Sequence, residues 1–144
     1  MDDVIYSERF HIQGNDFEHG GEVATSVKKT LKELGLPGDI IRRLSIANFE
    51  AEMNVVMYAH QAELELQVLP NAVRVVLADK GPGIPDIELA MQEGFSTATS
   101  EMRQRGFGAG LGLPNIKRNS DQFEIASTVG QGTTLKYAVF LKQT

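Results

Sequence analysis

Six of the 14 glycines in this 144-residue chain lie in two clusters between Asp79 and Leu113, and the clusters flank a polar segment. The first cluster, Asp-Lys-Gly-Pro-Gly-Ile-Pro, begins at Asp79, and the second, Gly-Phe-Gly-Ala-Gly-Leu-Gly-Leu, begins at Gly106. Glycine lets backbone N–H groups approach a ligand where a Cβ would clash, and N–H groups near the start of a helix suit phosphate. The stretch therefore predicts a nucleotide pocket with the polar segment as its movable cover.

The composition is that of a globular protein. Hydrophobic residues make up 42% and charged residues 23% of the chain, and this length predicts one domain, residues 1–144, with a substantial core. The absence of cysteine excludes a disulfide scaffold and a thiolate metal site. No leader-like N-terminus or membrane-length apolar run is present, so we expect a cytoplasmic protein that does not enter a membrane. A net charge of -5 argues against a nucleic-acid partner.

Hydrophobic periodicity predicts a two-layer α/β sandwich. Helical spacing of apolar residues predicts helices over about 23–34, 40–60 and 111–119, with a short helix after Asp86. Alternation predicts a pair of hairpin strands over 62–68 and 72–78, and further strands over 4–13, 123–125 and 133–141. These elements fit a mixed, mostly antiparallel sheet with helices packed on one face.

The second predicted helix carries two polar residues near its apolar stripe. Asn54 falls within the stripe and Glu50 at its edge, and the two are i,i+4 neighbours whose side chains meet on one face. A buried carboxylate and amide are costly unless they are used, although taken alone the pair is slightly better explained as a structural hydrogen bond. Glu52 points nearly opposite and is expected to be a solvated surface acid.

A nucleoside triphosphate bound between the helices and the glycine clusters would use these residues in distinct ways. Asp79, at the end of a predicted strand, can accept a hydrogen bond from the exocyclic amine of adenine, which guanine lacks at that position. Gly81 and Gly83 would let the base and ribose lie against the backbone. The amide oxygen of Asn54 suits Mg²⁺, and Glu50 could accept a proton from the group attacking the γ-phosphate.

Each motif is weak or moderate alone, but together and in this order they resemble the Bergerat-fold ATP-binding domain of the GHKL superfamily. The resemblance extends from about Asp16 onward. Glu50 and Asn54 match the N box of the superfamily. The first glycine box is matched by Asp79, Gly81, Gly83 and the following Ile84. The second glycine box is matched by Gly106, Gly108, Gly110, Leu111 and Gly112. Thr133 lies in a Gly-Thr element near the end of the chain, and it matches a position of the superfamily whose hydroxyl assists adenine recognition.

Within the superfamily the sequence is most similar to the small bacterial anti-sigma-factor and switch serine/threonine kinases. This resemblance implies ATP and Mg²⁺ as cofactors, Glu50 as general base, Asn54 as the Mg²⁺ ligand, Asp79 as the adenine contact and residues 95–110 as an ATP lid. Members phosphorylate a Ser or Thr of a STAS-domain antagonist protein. Some also hold a sigma factor inactive, and the switch type activates a regulatory phosphatase. The resemblance leaves a homodimer open.

Two departures from that pattern concern the choice of partner. Tyr58 stands where many anti-sigma kinases carry a histidine, and the lid is longer than in the switch kinase that the first glycine box resembles. The leading hypothesis is a serine/threonine protein kinase. The alternative is a nucleotide-gated binding module that sequesters a sigma factor or activates a phosphatase with little kinase activity. A histidine kinase is disfavoured, since no suitable phosphoacceptor helix is evident. A metal hydrolase is excluded by the spacing of His11, His19 and His60.

Overall fold

The computed structural model describes residues 3–92 and 112–141, so the predicted lid and most of the second glycine cluster lie outside it. Five strands form one sheet: β1 (Tyr6–Gln13), β2 (Gln61–Leu69), β3 (Ala72–Lys80), β4 (Gln122–Thr128) and β5 (Gly132–Phe140). The helices are α1 (Glu22–Glu33), α2 (Gly38–Tyr58), α3 (Ile87–Ala90) and α4 (Gly112–Arg118), with a 3₁₀ turn at Phe17–His19. In the described ranges, no helix combines the length and apolarity needed to cross a bilayer.

The strand order is β1-β2-β3-β5-β4, and each neighbouring pair is antiparallel. The predicted α/β sandwich is thus confirmed, but the described sheet has no parallel pair, where a mixed sheet was expected. The reason lies in the second half of the chain. After α4, the chain enters β4 at the edge of the sheet and returns through a hairpin, which places β5 rather than β4 beside β3.

Alternating side chains give the sheet one apolar face, on which the helices pack. Leu64 and Leu66 of β2 are opposite Leu77 and Val75 of β3, and all four are at most 1% exposed. Burying a side chain of this size contributes about 1.5–3 kcal/mol. The helices complete the same core with Val27, Leu31, Leu44, Ala47, Ala51 and Val55. The opposite face is polar, which confirms the one-sided arrangement of helices.

Glu52 corrects the expectation of a surface acid, because it is buried at 2% exposure. Its carboxylate accepts hydrogen bonds from the backbone N–H groups of Gly21 at 2.9 Å, Val23 at 3.2 Å and Ala24 at 2.8 Å. A helical wheel places Glu52 away from the stripe that faces the sheet, but α1 covers that second side of α2. The carboxylate therefore joins the two helices.

Asn48, one turn before Glu52 on α2, is also buried, at 1% exposure. The hydroxyl of Tyr137 on β5 donates to Asn48 Oδ1 at 2.6 Å. Burial and, to a lesser extent, the charge of Glu52 raise the pKa of Tyr137, so the hydroxyl stays protonated as a donor. Polar side chains thus connect the central sheet, α2 and the start of α1.

The connection between α2 and β2 brings two predicted site elements together. β2 begins at Gln61, directly after α2, and Gln61 is opposite Lys80 at the end of β3. The backbone N–H of His60 also donates to Lys80 O at 2.8 Å. The last turns of α2, which carry Asn54, therefore lie beside the end of β3, which carries Asp79.

Candidate active site

Glu50 and Asn54 lie one turn apart on α2 and face the first residue of α4. A Cβ added to Gly112 would lie 3.3 Å from Glu50 Oε2 and 3.1 Å from Asn54 Oδ1. A side chain there would require both polar groups to shift by a few tenths of an ångström, so glycine lets α4 lie directly against them. The structure thus brings together the predicted pair and the last glycine of the second cluster.

The environment of Glu50 suits proton transfer. The side chain is half-buried, and burial raises the pKa of its carboxyl group above the usual range. A hydrogen bond from the side chain of Asn115 on α4 opposes that rise. A carboxylate with a raised pKa is a stronger proton acceptor than an exposed one, which is what a general base requires.

The amide oxygen of Asn54 suits a magnesium nucleotide. Mg²⁺ prefers oxygen ligands, retains several waters and in nucleotide sites takes one or two ligands from the protein. The amide oxygen of Asn54 is half-buried beside Gly112, so it would supply such a ligand next to the start of α4. No nitrogen or sulfur ligand is required.

Asp79 lies near the end of β3 on the helix-covered face of the sheet. Its Oδ1 accepts a hydrogen bond from the backbone N–H of Thr133 on β5 at 3.0 Å. Burial raises the pKa of Asp79, and the bond from Thr133 opposes the rise. In the part of the chain that is described, Oδ2 has no hydrogen-bond partner, so one oxygen is fixed and the other is available as an acceptor.

The first glycine cluster is shaped by close backbone contacts. A Cβ on Gly81 would lie 3.0 Å from Ala59 Cα, just past the end of α2. Gly83 has φ +76°, and a Cβ there would lie 2.5 Å from Thr128 O. A left-handed conformation and a backbone neighbour together exclude larger residues. Gly83 is therefore required by chain packing, whatever it contributes to a ligand, and Gly81 is closely packed.

Hydroxyl groups attach this cluster to the β4–β5 hairpin. Ser127 Oγ accepts from the backbone N–H of Ile84 at 2.7 Å and lies 2.8 Å from Thr133 Oγ1. Thr133 thus contacts the cluster directly through the N–H bound to Asp79, and its hydroxyl reaches Ile84 only through Ser127. Four predicted residues, namely Asp79, Gly83, Ile84 and Thr133, are brought together at one end of the sheet.

The remaining predicted site residues are not placed. Gly106, Gly108, Gly110, Leu111 and the lid at 95–110 lie outside the described residues. Sequence reasoning also missed Asn115, which contacts Glu50. Its place one turn after Gly112 in a helix that follows the glycine cluster is a signal that could have directed attention to it.

Comparisons with known proteins show which family the chain belongs to. A family profile described as histidine kinase-, DNA gyrase B-, and HSP90-like ATPase matches residues 39–144. Serine/threonine-protein kinase RsbT of Bacillus subtilis (strain 168) is 31% identical over 119 residues, which cover 80% of this chain and 84% of that protein. An anti-sigma F factor of Caldanaerobacter subterraneus subsp. tengcongensis is 29% identical over 106 residues, covering 70% and 71% of the two chains.

A solved structure supports the fold independently. The catalytic domain of the histidine kinase ThkA superimposes with a TM-score of 0.53 over 94% of this chain and 96% of that one. Sequence identity is 16%, so this likeness concerns the architecture alone.

Proposed function

Because the chain belongs to the histidine kinase-, DNA gyrase B- and HSP90-like ATPase family, we propose that it is an ATP-dependent serine/threonine protein kinase acting in partner switching. Its substrate would be a Ser or Thr of a STAS-domain antagonist protein. The observation that carries the proposal is the placement of Glu50 and Asn54 against Gly112. The similarity to a serine/threonine-protein kinase, at 31% sequence identity over 80% of this chain, supports the reaction class.

Asp79 would select adenine in this scheme. The N–H of Thr133 occupies Oδ1, so Oδ2 accepts a hydrogen bond from the exocyclic amine of the base. Guanine presents an oxygen at the equivalent position, and two acceptors would face each other. The close packing of Gly81 and Gly83 leaves the backbone next to the base without side chains.

Asn54 would hold the phosphates through the metal ion. Its amide oxygen is one Mg²⁺ ligand, and the ion would neutralise the phosphate oxygens during transfer. Gly112, together with Gly106, Gly108, Gly110 and Leu111, would complete the phosphate contacts. These roles follow from the match to the second glycine box.

Glu50 would act as the general base. As the substrate hydroxyl oxygen attacks the γ-phosphorus, Glu50 takes the hydroxyl proton, and the bond from that phosphorus to the bridging oxygen of ADP breaks. The half-buried setting and raised pKa of the carboxyl group support this role. A fixed orientation matters as much as basicity, because the acceptor oxygen must lie within hydrogen-bond distance of the hydroxyl.

The similarity to an anti-sigma F factor supports a second candidate, a nucleotide-gated module that binds a sigma factor or a regulatory phosphatase without rapid transfer. Radiolabelled phosphate transfer from ATP to purified STAS-domain proteins separates the two. We expect transfer by the wild type, loss in Glu50→Gln and retention in the exposed control Glu63→Gln. ATP-dependent complex formation without transfer would favour the binding module. Equal, negligible binding of ATP and ADP, with and without Mg²⁺, would overturn both candidates.

A further inference from the structure

Asn115 lies between a cation and the candidate base. It sits on α4 one turn after Gly112, and its side chain hydrogen-bonds to Glu50 across the contact between α2 and α4. Arg118, three residues later on the same helix, donates from Nη2 to Asn115 Oδ1 at 2.8 Å. The three side chains therefore form a chain from the surface of α4 to the carboxylate.

The chemistry of the three groups allows only one orientation of the asparagine amide. A carboxylate accepts hydrogen bonds and a guanidinium only donates them, whereas an amide does both. Asn115 must therefore accept from Arg118 through Oδ1 and donate to Glu50 through Nδ2. Because Arg118 is charged, its hydrogen bond to Oδ1 is stronger than one between neutral groups, and it holds the amide in that orientation.

We infer that Asn115 is a positioning residue for Glu50, and that Arg118 orients Asn115 for this role. The inference rests on the proposed function, in which Glu50 takes the hydroxyl proton. A glutamate side chain has several rotatable bonds, and a base works only when its acceptor oxygen is held within reach of the proton. With one oxygen bound to Asn115, the other is directed to the substrate.

Docking of α4 does not depend on Asn115. Its neighbours Pro114 and Ile116 are buried, and Ile116 is 0% exposed in the main core. Asn115 itself is half-buried. Truncating its side chain should therefore leave α4 in place and remove only the bonds to Glu50 and Arg118.

The test measures kcat and KM for ATP in phosphate transfer. For Asn115→Ala we expect kcat to fall about 10- to 100-fold with KM and Kd for ATP within about twofold. Asn115→Asp has the same shape but loses the donor and places a like charge beside Glu50, so its kcat should fall at least as far. Asn119→Ala is the matched control, because that amide donates to the Asn115 backbone oxygen rather than to the candidate base.

A double-mutant comparison separates positioning from general destabilisation. If Asn115 acts through Glu50, Asn115→Ala should not lower the residual transfer of Glu50→Gln any further. Additive losses, or an unchanged kcat in both Asn115 variants of a transferring enzyme, would overturn the inference and leave the kinase proposal intact. Absence of transfer by the wild type, with ATP still bound, would overturn the kinase proposal and with it the premise for Asn115.

Discussion

The carboxylate of Glu52 on α2 accepts a 2.8 Å hydrogen bond from the backbone N–H of Ala24 in the first turn of α1. The residue at the N-cap of α1 is Gly21, which has φ 98° and no side chain that could accept from the free N–H groups of the helix. Glu52 supplies the missing acceptor from a neighbouring helix. Its negative charge is also favourable at the N-terminal end of the helix dipole.

Removing this carboxylate should destabilise the protein strongly. Glu52→Ala leaves the part-buried N–H groups of Gly21 and Val23 and the buried N–H of Ala24 without this acceptor, and we expect a loss of about 3 kcal/mol in the free energy of unfolding. Glu52→Gln keeps one acceptor oxygen and should lose about 1–2 kcal/mol. Urea unfolding measures both, with Glu124→Ala on exposed β4 as control. Equal stability of Glu52→Ala and the control would show that the contact is dispensable.

Asp79→Asn should weaken ATP binding about 10- to 100-fold, which corresponds to about 1–3 kcal/mol. The amide can keep the bond from Thr133 only by directing its NH₂ group toward the adenine amine. Isothermal titration with ATP and GTP measures the change, and the preference for ATP should shrink. Asp39→Asn, in the first turn of α2 far from Asn54, should leave both affinities unchanged. Undiminished ATP affinity in Asp79→Asn would rule out the adenine contact.

Two glycines of the β4–β5 hairpin should respond differently to alanine. A Cβ on Gly132 would collide with the backbone oxygen of Asp79, whereas a Cβ on Gly130 meets nothing within 4 Å. Gly130 has φ +83°, so Gly130→Ala should cost about 1 kcal/mol from backbone strain alone. Gly132→Ala must also displace β3 or β5, and should lower both the melting temperature and ATP affinity by more. Similar melting temperatures for the two variants would contradict the collision.

Glu50→Gln should make the nucleotide-free protein more stable near neutral pH. Burial raises the pKa of Glu50 in the folded state above its ordinary value of 4.5, so the folded protein binds that proton more tightly than the unfolded chain does. The contribution of Glu50 to the stability of the wild type therefore falls as pH rises from 4.5 through the raised folded value. Glu50→Gln should therefore be more stable than the wild type at pH values above the raised folded pKa of Glu50, and this difference in stability should disappear below about pH 4.5.

Urea unfolding at about pH 7 and about pH 4 measures this difference. Glu124→Gln, on an exposed strand position, serves as the control. A Glu50→Gln protein less stable than the wild type at neutral pH would show that the hydrogen bond from Asn115 outweighs the burial of the charge.

The local pattern of apolar and polar residues was sufficient to predict much of the fold and part of the candidate site. Strict alternation over 62–68, then a turn and a second apolar run over 72–78, predicted the hairpin, and both strands were observed within two residues of the predicted bounds. Glu50 and Asn54 were predicted as neighbours because i,i+4 geometry is a property of any α-helix. That they would lie near the second glycine cluster was expected from the family resemblance, which places these motifs around one nucleotide.

Long-range contacts account for what the sequence could not show. A helical wheel assigns one buried face to α2, whereas the sheet and α1 bury two, so Glu52 was misassigned. Its partners lie 28 to 31 residues earlier in the chain. The contact of Asn115 with Glu50 likewise joins two helices that are distant in sequence. The periodicity of apolar residues in the sequence does not predict such pairs, since each depends on which helices and strands pack together.

The position of β5 between β3 and β4 determines when the proposed adenine pocket can form during biosynthesis. Thr133 follows Asp79 by 54 residues, so the ribosome exposes β1, β2 and β3 well before the strand that orients Asp79. Until β5 is added, the nascent chain presents one unpaired edge of β3, a segment rich in Val73, Val75 and Leu77. Such an edge is an aggregation hazard until β5 pairs with it. An incomplete translation product lacking β5 would be unable to compete with the finished protein for nucleotide.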